Sequence, residues 1–258
     1  MLEFDAATTK LLDTAYQGSD FAKRRRASFD VVDPLPGDRI LDLGCGPGLL
    51  TLELARAVGP KGLVFGLDPS PDMRATAVKR CEDEPVVQII DGSAQDIPFE
   101  DESLDKAVAV QVFEYFDNLE QPLKELRRVL RPGGRVVISD MHFGTWVWHS
   151  ADSDRMERMM KIWDLHLADR EVPEKLPALL KDNGFQNACT IPLTLFDTVL
   201  RPDGMARMLM ILMSGYAQKN GQLPDAEIAA WLSEQESLAA EGRFFMAITH
   251  FITYAERI

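Results

Sequence analysis

The run Ile40-Leu-Asp-Leu-Gly-Cys-Gly-Pro-Gly-Leu-Leu-Thr-Leu-Glu-Leu-Ala55 is an apolar strand that passes through a glycine-rich turn into a helix. Gly44, Gly46 and Gly48 carry no side chains, so the chain can turn sharply and a ligand can lie against backbone at the helix start. A bare tight turn would use the same glycines. A dinucleotide site would want G-x-G-x-x-G, whereas the spacing here is G-x-G-x-G, with Leu49 where the third glycine would fall. Asp42 at the strand end is awkward beside a diphosphate, because two like charges would meet in a poorly screened crevice; it suits a cationic amino group. A second acid, Asp68, stands twenty positions beyond Gly48 in Gly66-Leu-Asp-Pro-Ser-Pro-Asp-Met73. A carboxylate at that point can accept two hydrogen bonds from the vicinal hydroxyls of a ribose.

Such residues meet only if a scaffold gathers several strand ends. Strand-like runs at Arg39–Leu43, Leu63–Leu67, Val86–Ile90, Leu104–Val110 and Arg135–Ser139 alternate with helical stretches at 48–58, 71–81 and 119–130. Near-continuous apolar strands between helices indicate a parallel sheet covered on both faces, the doubly wound α/β fold. Upstream, residues 8–32 read as one or two helices, closed by the breaker Asp33-Pro-Leu-Pro-Gly-Asp38. After residue 140 the rhythm changes. A Trp- and Met-rich run, Met141 to Leu167, precedes a helix over Leu176 to Asn183 that ends at Gly184. A strand follows at Gln186 to Phe196, then a Met-rich helical stretch at 203–218, a helix around 225–240 and a β-rich close at Phe244 to Tyr254. The expected organisation is one domain over 1–258: N-terminal helices to 37, a nucleoside-binding core at 38–140, cap elements at 141–183 and 203–240, and a last, antiparallel strand at 244–258.

The order and spacing of these motifs over residues 38–140 resemble the class I methyltransferases, in which D-x-G-x-G-x-G closes around the methionine part of S-adenosylmethionine. The resemblance implies a Rossmann-like, mostly parallel sheet with helical cap inserts, S-adenosylmethionine as cofactor and S-adenosylhomocysteine as product. It implies that Asp42 serves the ligand's amino end, that backbone at Gly44, Cys45, Gly46 and Gly48 approaches the ribose and methionine, that Asp68 and Pro69 close on the ribose, and that Met73 lies against the adenine. Asp91-Gly-Ser-Ala-Gln-Asp-Ile-Pro-Phe99 resembles the family's adenine loop, with Ser93 where an aspartate is usual; the Ser93 hydroxyl and the Ala94 amide would meet the adenine edge, and Asp96 either compensates or caps the loop. In Val110-Gln-Val-Phe-Glu-Tyr-Phe-Asp117 the Gln111 main chain would face the methionine amino group. Tyr115 stands where many relatives carry histidine, so it borders the reaction zone or simply packs. Pro132-Gly133-Gly134 matches the family's turn into strand five. The segment with Tyr16 and Arg24 to Arg26, and the tail after 141, are more loosely similar to quinone C-methylases.

A sulfonium carries its own leaving group, so the lack of a Ser-His-Asp or paired-carboxylate signature does not count against catalysis. Where a base is needed, His142 is the best placed, since it follows Asp140 at the ligand-binding edge of the sheet; His149, His166 and His250 read as ordinary helix or strand residues. Trp146, Trp148 and Trp163 with Met156, Met159 and Met160 either line a pocket for a small acceptor or pack helices on the sheet, and Trp146 and Tyr216 are the substrate-contact candidates. A net charge of −13 opposes binding of a nucleic-acid backbone. The basic run Lys23 to Arg26 reads as the solvated side of a helix, the alternative being an arginine that reaches an anionic cofactor group or substrate. Cys45, Cys81 and Cys189 lie far apart, which fits a reducing compartment and suggests no metal site; Cys45 reads as a packed, unreactive thiol. The acidic start M-L-E-F-D is unlike a signal peptide and no apolar stretch has membrane-spanning length, so a cytoplasmic location is expected. The expected function is methyl transfer to an O, N or C centre of a small molecule, against two rivals: an adenosylmethionine-binding protein with other chemistry, or a non-catalytic partner. Oligomeric state is not legible.

Overall fold

The computed structural model describes residues 6–221 and 223–258; the acidic start M-L-E-F-D and Gln222 of the second cap stretch lie outside the described residues. Helices α1 (Ala6–Ala15) and α2 (Ser19–Val32) lead into β1 (Arg39–Leu43), α3 (Leu49–Val58), β2 (Leu63–Asp68), α4 (Pro71–Arg80), β3 (Val87–Asp91), β4 (Leu104–Val110) and α5 (Glu120–Val129). There follow β5 (Leu130–Trp148), α6 (Ser153–Asp164), α7 (Val172–Asp182), β6 (Phe185–Asp197), α8 (Met205–Lys219), α9 (Asp225–Ala240) and β7 (Met246–Arg257).

The seven strands form one sheet in the order β3-β2-β1-β4-β5-β7-β6. β1 pairs in parallel with β2 and with β4, and β7 runs antiparallel to both β5 and β6. The inner strands are mostly apolar because neighbouring residues serve opposite, covered faces, with charged residues toward the strand ends. Ile40, Val64, Val108 and Val137 pack with Leu54 and Val58 of α3, while Leu41, Phe65, Ala107 and Val136 pack with Leu123 and Leu126 of α5 and Leu176 of α7. The chain proceeds outward from β1 to β3 and then returns to the other side of β1 as β4, so a crevice opens beyond the carboxyl ends of β1 and β4.

The region after residue 140 departs from the expected cap. The fifth strand does not stop at Ser139 but continues to Trp148, because β7 goes on pairing with it through Met141–His250, His142–Thr249 and Trp148–Met246. A register shift between His142 and Val147 breaks the alternation that would have marked these residues as strand, and side chains close the bulge: the Gly144 amide donates to His142 Nδ1 and Thr145 Oγ1 receives the Thr249 amide. The extended ends of β5 and β7 carry a second apolar core in which Trp146, Trp148, Met159, Trp163, Met210, Met213 and Trp231 pack on one another. Among the described residues no helix is long and apolar enough to cross a membrane.

Candidate functional site

The turn after β1 is bent by left-handed backbone at Gly44, Gly46 and Gly48, with φ of 68°, 53° and 80°. Its amides at Gly44 and Cys45 both donate to the Leu67 carbonyl, at 2.7 and 3.1 Å, which ties the turn to the end of β2. The three glycines have different reasons to be there. A Cβ on Gly44 would lie 2.4 Å from Cγ2 of Val112 and one on Gly48 would lie 2.9 Å from Cβ of Ala77, whereas at Gly46 the nearest atom is Met73 Sδ at 4.0 Å. Two are imposed by packing; Gly46 leaves room.

That room belongs to a cavity of about 420 Å³ in the crevice beyond β1 and β4, a size typical of small-molecule sites. Of the expected cofactor positions, Asp42, Gly44, Cys45, Gly46, Asp68, Pro69, Met73, Ser93, Ala94 and Gln111 line it, and Gly48 sits behind as the N-cap of α3. Asp68 is held by two amides: its Oδ2 accepts from Gly46 at 2.9 Å and its Oδ1 from Ser70 at 2.8 Å. Ser70 in turn accepts from the Met73 amide and caps α4, and Pro71 sets the first helical turn, so this short stretch brings Met73 to the cavity wall. Ser93 is exposed at the cavity rim, where its hydroxyl accepts from the Gln95 amide; Asp96 is exposed and does not line the cavity.

Asp42 is buried, accepts a 2.6 Å hydrogen bond from the Thr51 hydroxyl, and is pushed up to about 7 by burial. The folded state therefore keeps this proton to about pH 7, while the unfolded chain gives it up near pH 4, so stability declines as pH rises through that window. Asp42→Asn, whose amide oxygen can still accept from Thr51, is expected to gain on the wild type by about 2 kcal/mol between pH 5 and pH 8. Urea midpoints at the two pH values check this, and parallel pH profiles would contradict it.

Burial pushes the Cys45 thiol well above its usual range and the Cys81 thiol up to about 11, while Cys189 is exposed on β6. Titration of the folded protein with an aromatic disulfide reagent at pH 8 should modify Cys189 quickly and the other two only on unfolding. Fast modification of Cys45 would refute the packed-thiol assignment.

The N-terminal helices bring residues to the same cavity that the basic run had concealed. Arg26 is solvated and pairs with Asp30, as a helix surface would have it. Arg24 and Arg25 do not follow that reading, since both line the cavity. Arg25 pairs with Glu53 at 2.7 Å and donates to the Tyr16 carbonyl. Arg24 is buried, lies 4.9 Å from the centroid of Phe21 and 5.6 Å from that of Tyr16, and donates to the Gln111 side-chain oxygen. Its Nε has no partner among the described residues. The signal was present in the spacing: Phe21, Arg24, Ser28 and Val32 are buried residues of α2 at intervals of three and four, one inward stripe that contains a single arginine.

Gln111 has φ of 55°, unusual for a residue with a side chain, and its amide donates to the Ser139 carbonyl at 2.8 Å. Its own side chain also bonds Glu114, and the Tyr115 phenol donates to the same carboxyl. Asp140 accepts from the Val112 amide at 3.1 Å, and the backbone amides of this segment favour its charged form, so it fixes the loop after β4. Glu114 and Asp140 are both buried, and each keeps one oxygen without a partner among the described residues. Desolvation raises both carboxyls above their ordinary range, and at Glu114 repulsion by Asp140 adds to it. Glu114 was not singled out from sequence; an acid inside the apolar run Val-Gln-Val-Phe-Glu-Tyr-Phe was the available sign.

Other candidates lie elsewhere. Tyr115 lines the cavity, but His142, Trp146 and Tyr216 do not. His142 Nε2 meets Glu174 of α7 at 3.1 Å, and its Nδ1 closes the bulge. Trp146 is buried against Phe143 and Trp148, and Tyr216 packs edge-on to Trp163 and close to His166.

Residues 41–138 match the sequence family described as a methyltransferase domain. Over 88% of its length the chain is 34% identical to an uncharacterized 37.1 kDa protein in transposon TN4556 of Streptomyces fradiae, of which it spans 65%. Over 42% of its length it is 39% identical to a 2-phytyl-1,4-naphtoquinone methyltransferase of Trichormus variabilis, and it spans about half (48%) of that protein. The fold is shared with a solved phosphoethanolamine N-methyltransferase of Haemonchus contortus, in complex with S-adenosylhomocysteine and phosphomonomethylethanolamine. The TM-score is 0.64 at 16% identity, covering 98% of this chain and 58% of that one. The sheet is thus that of the Rossmann-like methyltransferases, with one antiparallel strand.

Proposed function

From the premise that residues 41–138 are a methyltransferase domain, we propose that this chain is an S-adenosylmethionine-dependent enzyme that methylates a small molecule. The observation that carries the reading is the disposition of charge along one cavity. Asp68, its carboxylate fixed by two amides, buried Asp42 at the glycine turn and buried Arg24, whose Nε has no partner among the described residues, all line it.

These residues fit the nucleoside. Asp68 uses one lone pair on each oxygen and has the others left for a ribose diol. Asp42 would meet the ammonium and Arg24 the carboxylate of an amino-acid arm; an ammonium beside Asp42 would restore its ordinary acidity and repay part of its burial. The Met73 side chain would cover an adenine face and Ser93 with Ala94 its edge. S-adenosylmethionine supplies, when bound, a methyl group already activated on a sulfonium. The protein's own part is to hold the acceptor in line and to keep water out, and the aromatic rings of Tyr16, Tyr115 and Phe116 around the cavity suit a small apolar acceptor. Quinone methyltransferases among the relatives support that acceptor class, and the chain's net charge of −13 speaks against a nucleic acid.

Incubation with methyl-labelled S-adenosylmethionine and a metabolite extract is the direct test. Label in a low-molecular-weight product supports transfer. Cofactor that binds and is never consumed would favour a non-catalytic partner, and absence of binding in calorimetry would overturn the reading as a whole.

A further inference from the structure

Glu114 has no part in holding the nucleoside, yet it sits at the centre of the hydrogen-bonded set behind the inner wall of the cavity. Arg24 donates to Gln111, Gln111 bonds Glu114, and Tyr115 donates to Glu114 from the cavity side. Glu114 is 1% exposed and its Oε2 has no hydrogen-bond partner among the described residues. A buried carboxyl with an unused oxygen is costly and is retained where it can be of use to a neighbour. Its main-chain carbonyl receives the amides of Ala168 and Asp169, so the residue is fixed from the cap side as well.

Resting on the methyl-transfer reading, we propose that the acceptor carries an acidic hydroxyl, as in a phenol, enol or hydroquinone, and that the Tyr115–Glu114 pair receives its proton. The acceptor oxygen forms the new bond to the methyl carbon as the carbon–sulfur bond breaks and its electron pair returns to sulfur. The hydroxyl proton passes to the Tyr115 oxygen while the Tyr115 proton passes to Glu114, and the proton later leaves to solvent. Tyr115 is the group that touches the acceptor; Glu114 acts through it.

The charges facing Glu114 are consistent with that task. Asp140 from β5 repels its charge, Arg24 from α2 attracts it, and the phenols of Tyr16 and Tyr115 face it from the cavity side. His250 of β7, held neutral by burial and by Arg24, bonds Ser139 and not the carboxyl, and the Asp169 side chain is taken by Lys175. Burial and Asp140 together raise Glu114 to about 8, so its ionised form is a stronger base than an ordinary carboxylate and becomes the prevailing form only above that pH.

The test needs no natural acceptor. With the protein saturated in S-adenosylhomocysteine, 4-nitrophenol is added at about pH 9, where the free probe is phenolate and Glu114 is ionised, and proton uptake on binding is followed by pH-stat. The wild type should take up about one proton per bound phenolate, because the pair holds the proton that an acceptor gives up. Glu114→Gln should abolish the uptake, and Tyr115→Phe should weaken phenolate binding by about tenfold, with S-adenosylhomocysteine affinity in calorimetry changed by no more than a few-fold. Phenolate binding to the wild type without proton uptake, failure of the probe to bind the saturated protein, or a Glu114→Gln variant that still takes up the proton would overturn the proposal. Loss of S-adenosylhomocysteine binding in the wild type would instead sink the methyl-transfer reading beneath it.

Discussion

Asp68→Ala is expected to weaken S-adenosylmethionine and S-adenosylhomocysteine binding by about 100-fold or more, the loss of two charge-assisted hydrogen bonds to a ribose. The side chain is also the acceptor for the Gly46 and Ser70 amides, so its removal leaves the glycine turn and the start of α4 without their common anchor. Asp68→Asn separates the two effects: it keeps an oxygen for one amide but cannot accept from both amides and a diol together. Calorimetry should rank the affinities wild type, then Asn, then Ala. An alanine variant that binds as tightly as the wild type would remove Asp68 from the site.

Arg24→Met should lower stability by about 3–5 kcal/mol at pH 8, because it leaves Glu114 and Asp140 buried without the cation that faces both. Methionine retains contact with Phe21 and Tyr16, so lost packing contributes little. The sign of the pH dependence follows from the raised carboxyls. In the folded state they hold protons to higher pH than in the unfolded chain, and without Arg24 they hold them higher still, so the variant loses stability as pH rises from 5 to 8 and recovers toward pH 5. Urea unfolding at both pH values measures this. An equal loss at pH 5 and pH 8 would show that the arginine acts by shape and not by charge. The same variant should bind S-adenosylmethionine more weakly, which calorimetry at pH 6 reads while the fold is intact.

The strands of the sheet core illustrate which features are written locally. Arg39–Leu43 and Leu104–Val110 have in the structure the bounds read from their apolar runs, and the glycine turn is made by residues adjacent in the chain. Beyond Ser139 the same reading failed. The bulge at 143–146 disturbs the alternation, and only the pairing with β7 makes the segment a strand. His142 looked well placed because it follows Asp140 at a strand end, but its ring turns to Glu174 of α7, and strand direction alone does not say what a side chain will meet. The tryptophans and methionines read as alternatives, lining or packing; the structure packs them on one another.

By itself the sequence determined the alternation of strands and helices, the glycine turn, and the acids that end the first two strands, since each depends on sterics and hydrogen bonds within a few residues. Only the tertiary structure decided that Arg24 leaves its basic run to meet Gln111, 87 residues away, that Glu114 sits behind the cavity wall, and that His142 faces elsewhere. Those outcomes turn on which distant surfaces share a dry interior, and a buried charge is fixed by its partners across the fold and not by its neighbours in the chain.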